Sequence, residues 1–110
     1  MIVGVAIAEI HIPYARSLKD KRSVVRSVKD HLRNRLKVSV AEVACHDLHQ
    51  RARIGIAFVC VDAKAVDAVF ENVNDVIDQA GDAILTGWTT ETLDFDPEVN
   101  LGIHGFEIGE

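Results

Sequence analysis

Five basic residues recur at alternating intervals of three and four in the first half of the chain. They are Lys19, Arg22, Arg26, Lys29 and Arg33. In a helix this spacing aligns all five along one side, about 110° from the centre of the apolar stripe. Arg16 and Lys21 add charge near the first turn, where free backbone N–H groups already favour anions. Such a cluster predicts phosphate binding, and a solvated helix face is the alternative that the spacing leaves open.

The charge of the chain is divided between its two halves. Residues 1–53 hold eleven of the twelve Lys and Arg residues against five acids, a charge of +6. Residues 54–110 hold Lys64 against twelve acids, a charge of −11. The split indicates a cationic face and an anionic face. The net charge of −5 counts against non-specific nucleic-acid binding, so a phosphate-binding face must turn the acidic half away.

A second group of reactive side chains lies between two predicted strands. Cys45, His46, Asp47 and His49 offer a thiol, two imidazoles and a carboxylate, all of them possible metal ligands. Their spacing matches no strong zinc signature, and loop histidines without a metal are more common. A Cys-His nucleophile pair is disfavoured because neighbouring residues of a strand point to opposite faces. We therefore expect no enzyme activity and no cofactor, and we assign neither catalytic nor metal-binding residues.

The elements that position these residues follow from hydrophobic periodicity. Four strands are predicted, over residues 2–12, 38–45, 52–61 and 83–93. Ser17 and Asp62 are the expected N-caps of two helices, and Gly81 is expected to end the second. The order β-α-β-β-α-β predicts an α+β, ferredoxin-like split βαβ fold with an antiparallel sheet of order 4-1-3-2. We expect this domain over 1–94, with 95–110 forming a tail or an extra strand.

The first and third strands are apolar on both faces, as central strands should be. Two helices cover only one face of such a sheet, so the other face is expected to expose apolar side chains. An exposed apolar face usually marks an association site. The sequence therefore predicts a homo-oligomer that packs sheet on sheet.

Cysteine placement and hydropathy indicate the compartment. In the predicted hairpin the thiols of Cys45 and Cys60 lie more than ~20 Å apart. A disulfide requires Cα atoms within about 7 Å. Two free thiols are typical of a reducing cytoplasm. The apolar start of the chain is too short to span a bilayer and has no basic region before it. We expect a cytoplasmic protein without a membrane anchor.

Three segments of the chain are informative when taken together: Arg16–Val25, Val38–Val43 and Asp47–Ala52. They resemble the YlxP-like small bacterial proteins, a family of unknown function, and the similarity extends over about residues 1–93. The resemblance implies a ferredoxin-like fold. It also implies a gene neighbourhood shared with translation initiation and ribosome-binding factor A, and hence a link to ribosome maturation or RNA. It supplies no catalytic residues.

These observations give a leading function and two alternatives. The leading hypothesis is a non-enzymatic module associated with RNA or ribosome maturation. Its phosphate contacts are expected from one set of residues: Arg16, Lys19, Lys21, Arg22, Arg26, Lys29 and Arg33. The first alternative is a homo-oligomeric protein-interaction module that uses the apolar sheet face and has no nucleic-acid role. The second is a sensor or enzyme that binds a small anionic metabolite at the start of the first helix.

Overall fold

Two helices lie on one face of a four-stranded sheet. A computed structural model describes residues 1–102. The element order is β1 (Ile2–His11), α1 (Leu18–Leu36), β2 (Ser39–Ala44), β3 (Arg51–Cys60), α2 (Ala63–Gln79) and β4 (Ile84–Asp94). All strand pairs are antiparallel, and the sheet order is β2-β3-β1-β4. This is the predicted 4-1-3-2 order read from the other edge, and the ferredoxin-like fold is confirmed.

Both helices begin at the predicted caps. The Ser17 hydroxyl accepts a hydrogen bond from the Asp20 N–H, and the Asp20 carboxylate accepts one from the Arg16 N–H. Asp62 accepts in the same way from the Ala65 N–H. These contacts satisfy backbone donors that the first turn of a helix leaves free. After α2 the chain passes through Gly81 at φ 102°, a conformation that glycine adopts without strain.

The core lies between the helices and the inward side of the sheet. From α1 it takes Val25, Val28 and Leu32, and from α2 Val66, Val73 and Ile77. The central strands β1 and β3 contribute alternate residues, among them Ala8, Ile10, Ile54 and Ile56. The alternate residues of the strands and the apolar stripes of the two helices thus pack together in one core layer, as the sequence predicts.

The opposite face of the sheet is open. Val5 and Ile7 of β1 are each 38% exposed, Val59 of β3 is 63% exposed and Leu93 of β4 is 57% exposed. The expectation of an apolar face without a helix over it is confirmed. Phe58 of β3 points the other way and packs edge-on against Phe70 of α2, with ring centroids 5.2 Å apart.

The first residue of the chain pairs with the residue that follows β4. The backbone N–H of Phe95 donates to the carbonyl of Met1, and the N-terminal amine donates to the carbonyl of Phe95. Residues 95–102 contain no helix or strand. The rest of the segment predicted as a tail or extra strand, 103–110, lies outside the described residues.

Cys45 and Cys60 are free thiols, as predicted. Within residues 1–102, no helix is long and apolar enough to cross a membrane.

Candidate phosphate-binding surface

Contacts on either side of α1 fix the direction in which its basic residues point. On one side the Ser27 hydroxyl donates to the carbonyl of Ala80, which follows α2, and Arg35 donates to the side chain of Gln79. On the other side Arg33 donates to the carbonyl of Val40 on β2. Residues three and four apart share one side of a helix. The five spaced cations therefore lie on the side of α1 that faces away from α2 and toward β2. We call this set the cationic flank: Lys19, Arg22, Arg26, Lys29 and Arg33.

Most of the cationic flank is free of carboxylates. Lys19, Arg22 and Arg26 are exposed, and Lys29 is half-buried. Within residues 1–102, none of these four makes a salt bridge. Arg33 differs, because it lies 3.6 Å from Asp30 as well as donating to β2. Arg16 is also exposed and lies beside the N-cap. Positive charge therefore extends along most of the length of α1.

The acidic residues of α2 do not neutralise this surface. The four predicted outer-face acids are all exposed: Asp67, Glu71, Asp75 and Asp78. Because α1 and α2 lie side by side, the cationic flank and these acids border opposite sides of the helix layer. The charge split along the sequence thus becomes a split across the molecule.

Lys21 does not belong to the phosphate-binding surface predicted for it. Its side chain is buried, and its Nζ lies 2.7 Å from Glu42 Oε2 and 2.6 Å from the carbonyl of Cys45. The ammonium does not meet Glu42 Oε2 with hydrogen-bond geometry, so their attraction is chiefly electrostatic. The physical reason for its burial is its position, four residues before Val25 in the centre of the apolar stripe. Lys21 therefore joins α1 to the end of β2 instead of contacting a ligand.

A second charged group lies on the open face of the sheet and joins Glu9 of β1 to Arg51 and Arg53 of β3. The sequence left open whether Arg51 and Arg53 extend a phosphate-contacting face or cap the hairpin. Arg53 Nε donates to Glu9 Oε1 at 2.8 Å, and Arg51 Nε lies 3.8 Å from Glu9 Oε2. The hydrogen bond from Arg53 holds the pKa of Glu9 below its ordinary value, and the charge of Arg51 acts in the same direction. The signal was available in the sequence, because Glu9, Arg51 and Arg53 all occupy outward positions of adjacent strands.

The thiol and imidazole segment serves the local structure of the hairpin. Cys45 adopts a left-handed conformation at φ 64°, and its Sγ accepts a long hydrogen bond from Arg51, 3.6 Å away. This contact raises the pKa of Arg51 above its ordinary value. His46 Nε2 donates to the carbonyl of Glu42. In the part of the chain that the structure describes, no three His, Cys, Asp or Glu side chains are grouped as metal ligands.

Known proteins are similar to the chain in sequence. Residues 3–90 match the family described as "Protein of unknown function (DUF503)". The chain is 32% identical over 77 residues to the uncharacterized protein YlxP of Bacillus subtilis (strain 168), across 70% of this chain and 84% of that protein. These matches confirm the resemblance to YlxP-like proteins.

Two designed proteins of known structure are similar to the chain. The de novo designed protein Foldit4 is 11% identical with a TM-score of 0.49, covering 87% of this chain and all of its own. The de novo designed protein LFR1 1 with ferredoxin fold is 12% identical, with a TM-score of 0.49. The match covers 97% of this chain and 98% of the designed protein.

Proposed function

The chain belongs to the DUF503 family of proteins of unknown function, and we propose that it is a non-enzymatic, cytoplasmic module that binds RNA, in the context of ribosome maturation. Phosphate groups of the RNA backbone contact Arg16 and the four cations of the flank that make no salt bridge within residues 1–102: Lys19, Arg22, Arg26 and Lys29. Lys21 takes no part, because it is buried. The gene neighbourhood that the YlxP resemblance implies supplies the link to the ribosome.

The single observation that carries the proposal is that four of the five cations of the flank are unpaired within residues 1–102. Four cations lie along one side of α1 without a carboxylate partner in residues 1–102. The four cations repel one another in the free protein, and the negative charge of a bound polyanion relieves that repulsion. Binding is favoured further because the polyanion releases its own counterions. The acids of α2 border the other side, so an RNA that approaches the flank does not meet them.

The surface favours backbone contacts over base stacking. RNA-recognition domains of this topology stack bases on aromatic residues of the two central strands. β1 contains no Phe, Tyr or Trp, and Phe58 of β3 points toward α2. The interaction that these residues support is therefore electrostatic, with little sequence preference.

Charge reversal at two positions tests the proposal. We expect Arg22→Glu to weaken the affinity for a single-stranded or ribosomal RNA fragment by about tenfold at low salt, because one attraction becomes a repulsion. Lys64→Glu is the matched control, since Lys64 is an exposed cation on α2 with the same change in charge. Its expected affinity is close to that of the unmodified protein. Equal losses in both variants, or no RNA binding at low salt, would refute the proposal.

The open sheet face supports a second function, self-association. Val5, Ile7, Val59 and Leu93 lie together on that face and are between 38% and 63% exposed. Monomers rarely leave such a contiguous apolar surface in water. We expect Val59→Asp to reduce the molecular mass that light scattering measures, if this face joins two copies. A monomer at all concentrations of the unmodified protein would contradict this second function.

A further inference from the structure

The two edge strands of the sheet, β2 and β4, differ in how far their outward backbone groups are covered. On β2 the outward carbonyls of Val40 and Glu42 accept hydrogen bonds from side chains of the same chain, Arg33 and His46. This strand is also short and interrupted by a register shift between Glu42 and Ala44. Short strands, irregularities and covering cations are the usual means of closing a sheet edge to further strands. The β2 edge is therefore closed.

The β4 edge lacks these protections beyond its own register shift, which lies at Thr86 near the start of the strand. β4 is 11 residues long and contains neither Lys, Arg nor Pro. Phe95 and Met1 form a hydrogen-bonded pair, and the register from Gly87 to Leu93 continues from it. In this stretch the backbone groups of odd-numbered residues bond to β1, and those of the even-numbered residues face outward. The outward N–H and C=O groups of Trp88, Thr90 and Thr92 face no further strand within residues 1–102, because β4 is the last strand of the sheet. They form a ladder that a further strand can join.

Two cavities lie along this edge, between β4 and α2. The first, of about 180 Å³, has mainly apolar walls: Phe70, Val73, Asn74, Leu85 and Trp88. The second, of about 260 Å³, is lined by Ile2, Ala63, Val66, Asp67, Thr92 and Asp94. Trp88 and Thr92 are four residues apart on the same strand, a separation of about 13 Å. In an added strand, side chains at positions i and i+4 have the same separation and the same direction.

The two cavities differ in the side chain that they suit. Four of the five residues around the first are apolar, so an aliphatic side chain fits there. Two carboxylates, those of Asp67 and Asp94, border the second, and these favour a Lys or Arg side chain. Further exposed acids on α2, Glu71 and Asp78, extend the negative potential beside this edge. Main-chain bonds plus pockets for alternate side chains are how domains recognise peptides by strand addition.

We propose that the β4 edge binds an extended basic peptide segment of a partner protein, antiparallel to β4. The segment places a Lys or Arg over the cavity at Asp67 and Asp94. Four residues later it places an aliphatic side chain over the cavity at Trp88. The antiparallel direction follows from the better hydrogen-bond geometry of antiparallel ladders.

Charge distinguishes this partner from the other occupants of a sheet edge. Residues 95–110 contain no Lys or Arg and include the acids Glu98, Glu107 and Glu110. The β4 strand of a second copy brings Glu91 and Asp94 and likewise no Lys or Arg. RNA is repelled by the same carboxylates that attract a cation. A basic segment from another protein is the occupant whose charge complements this edge.

The test uses a synthetic peptide and the fluorescence of Trp88, which is the single tryptophan of the chain. The probe is the acetylated, amidated peptide Thr-Lys-Thr-Val-Thr-Leu-Thr. We expect a saturable change in Trp88 emission on titration of the full chain. The same peptide with Glu in place of Lys should bind at least about tenfold more weakly. Thr90→Pro should abolish binding without unfolding the protein, because it removes an outward N–H from an edge strand.

Charge-reversed variants identify the site. Asp67→Lys should weaken binding of the Lys peptide and strengthen binding of the Glu peptide. Asp75→Lys makes the same change in charge on the outer side of α2, away from the cavity, and should leave the preference for the Lys peptide intact. The proposal is overturned if no saturable change occurs, or if both variants shift the preference equally. It is also overturned if binding requires removal of residues 103–110 or dissociation of a dimer.

Discussion

Replacing Lys21 by Met removes the cation from the buried pair with Glu42. The Oε2 atom of Glu42 is buried, and the whole side chain is 18% exposed. Breaking a buried ion pair by removing one partner costs roughly 3–5 kcal/mol, because the other charge stays without compensation. Because Glu42 is partly exposed, we expect Lys21→Met to lower the free energy of unfolding by about 3 kcal/mol, near the lower end of this range. The carbonyl of Cys45 loses its donor in the same variant.

Urea denaturation followed by circular dichroism measures this cost. The double variant Lys21→Met/Glu42→Leu should recover about 2 kcal/mol of the loss, because an apolar pair requires no desolvation of charge. Lys19→Met is the matched control, since Lys19 is an exposed cation of the same turn, and its free energy of unfolding should change by less than about 0.5 kcal/mol. If Lys21→Met unfolds no more readily than Lys19→Met, or if the double variant is no more stable than the single one, the buried-pair reasoning is wrong.

Two further predictions concern the sheet. The pKa of Glu9 is lowered by Arg53, so the stability from this pair is present above the unfolded value of about 4.3 and is lost as pH falls through the lower folded value. Arg53→Gln should move the Glu9 carboxyl titration, followed by carbon NMR, to higher pH; an unmoved titration would contradict the assignment. Gly4→Ala should cost about 2 kcal/mol in urea denaturation, because the added methyl overlaps the packed ring of Phe58. A neutral Gly4→Ala would show that this ring has room to move.

Periodicity was sufficient to predict the elements and their order. Val25, Val28 and Leu32 at helical spacing, and apolar residues on both sides of β1 and β3, identify the layers and the central strands. Ser17 and Asp62 as caps fixed the helix starts within a residue. The register shift after Glu42 was not predictable, because it depends on how the turn between β2 and β3 closes over Lys21.

The candidate surface was only partly predictable. Spacing alone aligned the cationic flank, but the sequence did not show that it faces β2 and not α2. That direction emerges from the contacts of Ser27 and Arg33 in the folded protein. Lys21 was assigned by its charge although its position lies in the apolar stripe. Glu42 lies at an inward position of β2, and two opposite charges at inward positions are the signal that such a pair forms. The cavities beside β4 need tertiary structure, because α2 and β4 together line both of them and β1 adds Ile2 to the second.

The salt dependence of RNA binding tests the central claim most directly. In our account five cations that make no salt bridge within residues 1–102 contact the RNA backbone: Arg16, Lys19, Arg22, Arg26 and Lys29. A plot of log affinity against log salt should then have a slope of about −3.5 for single-stranded RNA, since each neutralised phosphate contributes about −0.7. Arg22→Glu/Arg26→Glu should reduce the steepness by about 1.4 or more. A slope near zero, or an unchanged slope in the double variant, would contradict binding of phosphate by the cationic flank.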